Sequence, residues 1–285
     1  MPDSRPPTMS LPVIRPAAVA GSWYPANPDV LAREVDRYLA AVKTTPAGEP
    51  LALICPHAGL MYSGPIAAHA YRAVAQRAID VVILAGPSHY VGFDGVAIYE
   101  RGAFDTPFGP VQIADRCASA IALASREIKE HPTAHIREHS LEMQLPFLKR
   151  VLPDTPIVPL VMGYQRRETI FALAEALTAA LQGRRALLIA STDLSHYHDA
   201  ATAAKLDARV VEHVQRFDPE GLLQALERFP EHACGGGPTV SVMLAARALG
   251  ARDARVLKYG DSGDVSGDKD AVVGYLAAAF GSFAN

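Results

Sequence analysis

Three short apolar runs constrain this chain more than any other feature. Leu51-Ala52-Leu53-Ile54-Cys55, Val81-Val82-Ile83-Leu84-Ala85 and Ala186-Leu187-Leu188-Ile189-Ala190 are continuous rather than alternating. An alternating strand keeps one face in water, whereas a continuous one is apolar on both faces and reads as a strand covered on both sides. Runs this short fall far below the ~20 apolar residues that cross a bilayer, so they predict a buried sheet. A fourth run, Ile157-Val158-Pro159-Leu160-Val161, carries a proline and is the weakest strand candidate, because proline has no N–H for the ladder.

Helical signals fill the gaps. Asn27 followed by Pro28 pairs an N-cap with a proline at the first helical position, and Leu31, Val35, Tyr38 and Val42 recur behind them at helical spacing. Further helices are expected over 66–77, 115–126, 141–151, 168–181, 201–217, 220–229 and 239–249, with closing apolar runs at 254–259 and 271–280. Strands alternating with helices predict an α/β fold with a central, largely parallel or mixed sheet flanked by helices. After a polar break at 44–50 no linker or repeat follows, so residues 15–285 read as a single domain, and residues 1–14, rich in Pro and Ser, read as a flexible arm.

Charge and cysteine usage narrow the function classes. Lys+Arg number 27 against 30 Asp+Glu, a formal net charge of −3. That balance lacks the basic excess of a dedicated nucleic-acid binder. Cys55, Cys117 and Cys234 are an odd, sparse set that makes no disulfide framework and fits a reducing compartment. The first residues hold no signal-peptide core. A soluble, cytoplasmic protein without a membrane or nucleic-acid partner is expected.

The chemistry gathers where the buried runs end. The first leads into Pro56-His57-Ala58-Gly59, the second into Gly86-Pro87-Ser88-His89, and the third into Ser191-Thr192-Asp193-Leu194-Ser195-His196. Ligands of open α/β sheets sit outside the carboxyl ends of the strands. One histidine there is ordinarily a hydrogen-bonded structural residue. Three such coincidences predict a shared site of imidazoles and a carboxylate, suited to metal binding or acid/base work. Cys234 precedes Gly235-Gly236-Gly237-Pro238, which opens the helix expected from Thr239. The dipole there favours thiolate, and the glycines read as a tight turn that brings backbone close to a ligand rather than as a P-loop. His139-Ser140-Leu141-Glu142 opens another helix, with Ser140 as its N-cap and His139 and Glu142 placed to share a face. Both are further pocket candidates, although on these residues alone capping by Ser140 and dipole compensation by Glu142 are the better explanation.

Taken in chain order, these motifs resemble a known family. Gly21-Ser22-Trp23-Tyr24-Pro25, Pro56-His57-Ala58-Gly59, Gly86-Pro87-Ser88-His89, His139-Ser140-Leu141-Glu142-Met143-Gln144-Leu145-Pro146, the 191–196 segment and Cys234-Gly235 are similar to the Memo family, from about Arg15 to Phe280. That family is similar in fold to the class III, LigB-type extradiol dioxygenases, which are non-haem iron enzymes. The resemblance implies one metal ion held by His57, His89 and Cys234, with Asp193 and His196 beside it as acid/base groups. Fe(II) is the first expectation, with copper or zinc as alternatives, because a thiolate stands where the dioxygenases have a carboxylate ligand.

The implied function is metal-dependent oxidation of a small substrate in the cleft. Two alternatives use the same residues: a non-catalytic metal-handling or peptide-binding module, and a metal-dependent hydrolase that activates water. A serine hydrolase is not expected, because no G-x-S-x-G elbow follows any strand.

Overall fold

The computed structural model describes residues 14–284. The expected arm over 1–14 lies outside the described residues, except for Ile14, which opens the first strand. The strands begin with β1 (Ile14–Arg15), β2 (Gly48–Cys55), β3 (Val81–Pro87), β4 (Val96–Ile98), β5 (Ala103–Phe104), β6 (Val111–Gln112) and β7 (Ile128–Glu130). They continue with β8 (Ile157–Met162), β9 (Ala186–Ser191), β10 (His196–His198), β11 (Asp253–Asp261) and β12 (Val272–Phe283). The helices are α1 (Pro28–Ala41), α2 (Leu60–Val74), α3 (Asp115–Ala124), α4 (Pro132–Ile136) and α5 (Leu145–Val151). Beyond them come α6 (Arg167–Leu181), α7 (Ala200–Gln215), α8 (Pro219–Arg228), α9 (Gly236–Ala248) and α10 (Gly263–Ser266).

The large sheet has the order β10-β12-β2-β9-β3-β8-β4-β7, with β11 paired to β12. Its centre, β2, β9, β3 and β8, is parallel, while β12 and β4 run antiparallel to their neighbours β2 and β8. The sheet is therefore mixed. Every residue of β3 is buried. Successive side chains of a strand point to opposite faces, so both faces of the sheet are covered. α2 packs on β2, β11 and β12 and carries α1 and α5; α9 packs on β3, β9 and β2 and carries α6 and α8. A small separate sheet, β1-β5-β6, docks the N-terminal segment. Among the described residues no helix is long and apolar enough to cross a membrane.

The doubtful fourth run is a full strand, and its proline explains itself. A residue's nitrogen and carbonyl leave a strand on the same side. The Pro159 carbonyl accepts from Tyr99 N at 3.4 Å, just past the end of β4. The proline nitrogen therefore faces the short β4 side, and the ladder to β3 loses nothing. α2 differs from expectation in starting at Leu60, before Pro65. Its first turns are buried against α1, where a Cβ on Gly64 would lie 2.9 Å from the Tyr38 ring. That packing outweighs the cost of an interior proline. The expected 141–151 helix splits into a 3-10 turn, Glu142–Gln144, followed by α5.

Candidate metal centre

Parallel neighbours end at the same edge of a sheet, and register decides which residues meet there. Cys55 of β2 is paired with Ser191 of β9, so His57 and Asp193, each two residues further on, leave the edge side by side. His57 N donates to Asp193 Oδ1 at 2.7 Å. His89 lies two residues past the end of β3, the neighbour of β9 on its other side.

Cys234 arrives from elsewhere in the chain. The turn before α9 presses onto the end of β9: Cys234 N donates to the Asp193 carbonyl at 3.2 Å, and Gly235 N donates to Thr192 Oγ1 at 2.9 Å. A Cβ on Gly235 would lie 2.3 Å from the Ser191 carbonyl oxygen, so only glycine permits this approach. The result puts Cys234 Sγ 3.3 Å from His57 Nε2.

One ligand atom from each of His57, His89 and Cys234 lies within 4.8 Å of the others. Ligands at about 2.0–2.3 Å from a common ion lie at most ~4.6 Å apart, so the spacing of these donors is compatible with a single ion. His57 is buried, Cys234 is partly covered and His89 is exposed. The ring nitrogens on the far side have partners of their own. His57 Nδ1 meets Ser191 Oγ at 2.9 Å, and His89 Nδ1 meets Glu138 Oε1 at 2.8 Å.

Electrostatics favour neutral groups at the floor. Burial, then the charge of His89, holds the His57 imidazole well below its usual pKa. Burial raises Asp193 to about 6, against the His57 amide and the positive influence of His196 and His89, which lower it. Protein packed around the Cys234 sulfur pushes its thiol up to about 12, and the negative Asp193 adds to the rise. The thiolate expected from the helix dipole is thus overridden: desolvation outweighs the amide of Asp193 and the α9 terminus. Glu138 is buried too, but hydrogen bonds and charge from His89 hold its carboxyl well below the usual range.

His196 opens β10 and is half-buried near this group. Tyr197 beside it takes φ +61°, the left-handed region, where the register with β12 shifts. His198 is not among the residues whose ligand atoms cluster there.

Other expectations need correction. Glu142 is no pocket group. Its carboxylate accepts from Arg15 Nη1, Ala18 N (2.7 Å), Val19 N (3.0 Å) and Tyr24 Oη (2.7 Å), which fills its lone pairs. His139, by contrast, lies against the site: its ring stacks on His89, with centroids 4.4 Å apart, and meets His57 edge-on at 5.5 Å and Trp23 at 4.2 Å. Ser140 caps no helix; its hydroxyl donates to the Pro87 carbonyl at 3.1 Å. Gly235 approaches β9, and Cβ atoms on Gly236 and Gly237 would meet Leu226 and the Met162 and Gln165 side chains. Sequence reasoning missed Glu138, which accepts from His89 N (2.6 Å) and Ser140 N (2.9 Å) as well as the His89 ring. A carboxylate immediately before His139 was its only sequence signal. Glu138 and His139 also form a second clustered group with His89. The three hydrogen bonds on Glu138 make that group the backing of the first.

Fold and site together define an α/β protein with a candidate two-histidine, one-cysteine metal centre at the carboxyl edge of its parallel strands. Comparison with known proteins gives the family. The family model described as Memo-like protein matches residues 15–279. A MEMO1 family protein of Methanopyrus kandleri is 37% identical over 279 residues, covering 93% of this chain and 98% of that one. One from Methanosarcina mazei is 38% identical over 267 residues, covering 93% and 98%. The crystal structure of an uncharacterized protein from Escherichia coli K12 aligns with TM-score 0.53 at 15% identity, over 82% of this chain and 100% of that one. This last likeness is one of fold alone. The chain belongs to the Memo family.

Proposed function

We propose that His57, His89 and Cys234 hold one transition-metal ion, Fe(II) before copper or zinc, and that the cleft oxidises a small substrate in the manner of LigB-type dioxygenases. The observation that carries the reading is the convergence of three ligand atoms from three chain segments within 4.8 Å. Imidazole and thiolate suit this group of metals. A bound ion supplies Lewis-acid and redox chemistry at the position left open by three protein ligands.

The chain's own residues supply the rest. His57 and Cys234 form the covered floor, and exposed His89 leaves the substrate side accessible. Asp193, raised to about 6, is poised to hold or release a proton near neutrality while its Oδ1 fixes the His57 backbone. His196, whose charge acts on both His57 and Asp193, moves the substrate proton. Covalent catalysis by Cys234 is disfavoured. A raised thiol beside a lowered imidazole is the reverse of a thiolate–imidazolium pair.

The test is anaerobic loading with each metal, metal content per chain, and oxygen uptake with catechols. His57→Ala should lose metal first and activity in consequence. His196→Ala should keep its metal and lose turnover by ~10²–10⁴-fold, the usual share of a general acid or base. Equal metal loss in both variants overturns the role given to His196. A second reading, metal handling without turnover, is favoured by the thiol standing where a dioxygenase carboxylate is expected. A tight metal site with no oxygen uptake on any catechol decides for it.

A further inference from the structure

We infer that Ser191 is a positioning residue that fixes the tautomer of His57, placing the bare Nε2 toward Cys234. The metal-centre reading is needed only for the consequence, not for the geometry. The protons around one hydroxyl decide the tautomer. Ser191 Oγ has three partners: the Ser140 carbonyl at 2.6 Å, Gln144 Nε2 at 2.8 Å and His57 Nδ1 at 2.9 Å.

The Ser140 carbonyl accepts only, so it takes the single hydroxyl proton. The orientation of Gln144 is set independently. Its Nε2 faces the Pro56 carbonyl at 3.1 Å and its Oε1 accepts from Tyr71 Oη at 2.7 Å, so the amide nitrogen points at Ser191 as a donor. Ser191 therefore has one lone pair for Gln144 and one for His57. His57 Nδ1 must carry the proton. In a neutral imidazole that leaves Nε2 unprotonated, and Nε2 is the atom 3.3 Å from Cys234 Sγ.

The alternative tautomer is blocked structurally. A hydroxyl swung toward a bare Nδ1 would leave two acceptor oxygens, Ser191 Oγ and the Ser140 carbonyl, facing each other at 2.6 Å without a proton. All four groups are buried, so no bulk water relieves that contact. His89 reaches the same tautomer by a different device, the Glu138 carboxylate at 2.8 Å. The centre thus has one imidazole backed by a neutral hydroxyl and one backed by a carboxylate, and partners of this kind orient metal ligands.

The experiment is nitrogen NMR of the metal-free, full-length chain labelled at histidine, with Zn(II) affinity measured in parallel. The wild type should show a protonated Nδ1 and an unprotonated Nε2 at His57. Ser191→Ala should lose that preference and bind Zn(II) about 10–100-fold more weakly, the usual cost of removing a ligand's hydrogen-bond partner. Ser191→Thr keeps the hydroxyl and should retain both properties, which separates the tautomer effect from a general loss of packing. A wild-type His57 protonated at Nε2 overturns the inference, as does an alanine variant with unchanged tautomer and affinity. A wild type with the expected tautomer that binds no metal supports the inference and overturns the metal-centre reading instead.

Discussion

Glu142 lies at the centre of a buried charge pair whose partner, Arg15, is 127 positions away. Arg15 also donates from Nε to the His135 carbonyl at 2.7 Å and from Nη2 to the Glu138 carbonyl at 2.6 Å. The pair therefore ties the N-terminal segment to the stretch that carries Glu138 and His139. Both side chains are essentially inaccessible, at 1% and 0% exposure. Removing one partner of such a pair strands the other charge away from water. Glu142→Ala should lose about 3–5 kcal/mol of stability in a urea titration. A loss under ~1 kcal/mol would mean that the pair behaves as an exposed one. None of this was legible locally. Three-residue spacing next to His139 suggested a shared face, but only tertiary structure shows that Arg15, Ala18, Val19 and Tyr24 consume the carboxylate.

At the level of elements, the apolar runs and helical periodicities located every long strand of the sheet and every helix of α1, α3 and α6–α9 to within a few residues. Their burial is decided by their own composition. The short strands β4–β7 were not legible, because two or three residues carry no period of their own and pair only where neighbours place them. Proline misled at Pro159, since its cost depends on where the missing N–H would have pointed. Cys234 was legible as a residue before a helix, but not the reason it reaches His57. That reason is Gly235. Adding a Cβ there drives it to 2.3 Å from the Ser191 carbonyl and 2.8 Å from Thr192 Cβ, so the turn must retreat from β9. Gly235→Ala should cost about 1–3 kcal/mol, the range for overpacking a filled site. Because Cys234 moves with the turn, its metal affinity should fall more than stability alone predicts. Thermal melts with and without Zn(II) check this, and an unchanged metal-dependent shift would show that the turn does not set the position of the sulfur.

For the molecule as a whole, metal uptake and protonation are linked through the floor of the cleft. Metal binds thiolate, yet burial holds the Cys234 thiol up at about 12, so near neutrality the sulfur carries its proton. His57, held well below its usual value, is already neutral and releases nothing. Cys234 is therefore the ligand whose bound proton must leave on metal binding. The sign follows directly. Raising pH removes the competitor, and affinity should increase about tenfold per pH unit between roughly pH 7 and pH 9. Toward about 6 a second loss should join, as Asp193 takes up a proton and its negative charge no longer favours a cation nearby. Calorimetric titration of the metal-free chain with Zn(II), repeated in buffers of different ionisation enthalpy, counts the released protons directly. One proton per ion is the expected result, and Cys234→Ala should bind more weakly with a flat pH dependence over the same interval. Uptake that releases no proton would mean either that the sulfur stays outside the coordination sphere or that it is a thiolate beforehand. The variant separates the two: affinity unchanged by the substitution removes Cys234 from the centre, whereas affinity lost with no proton released makes the resting group a thiolate.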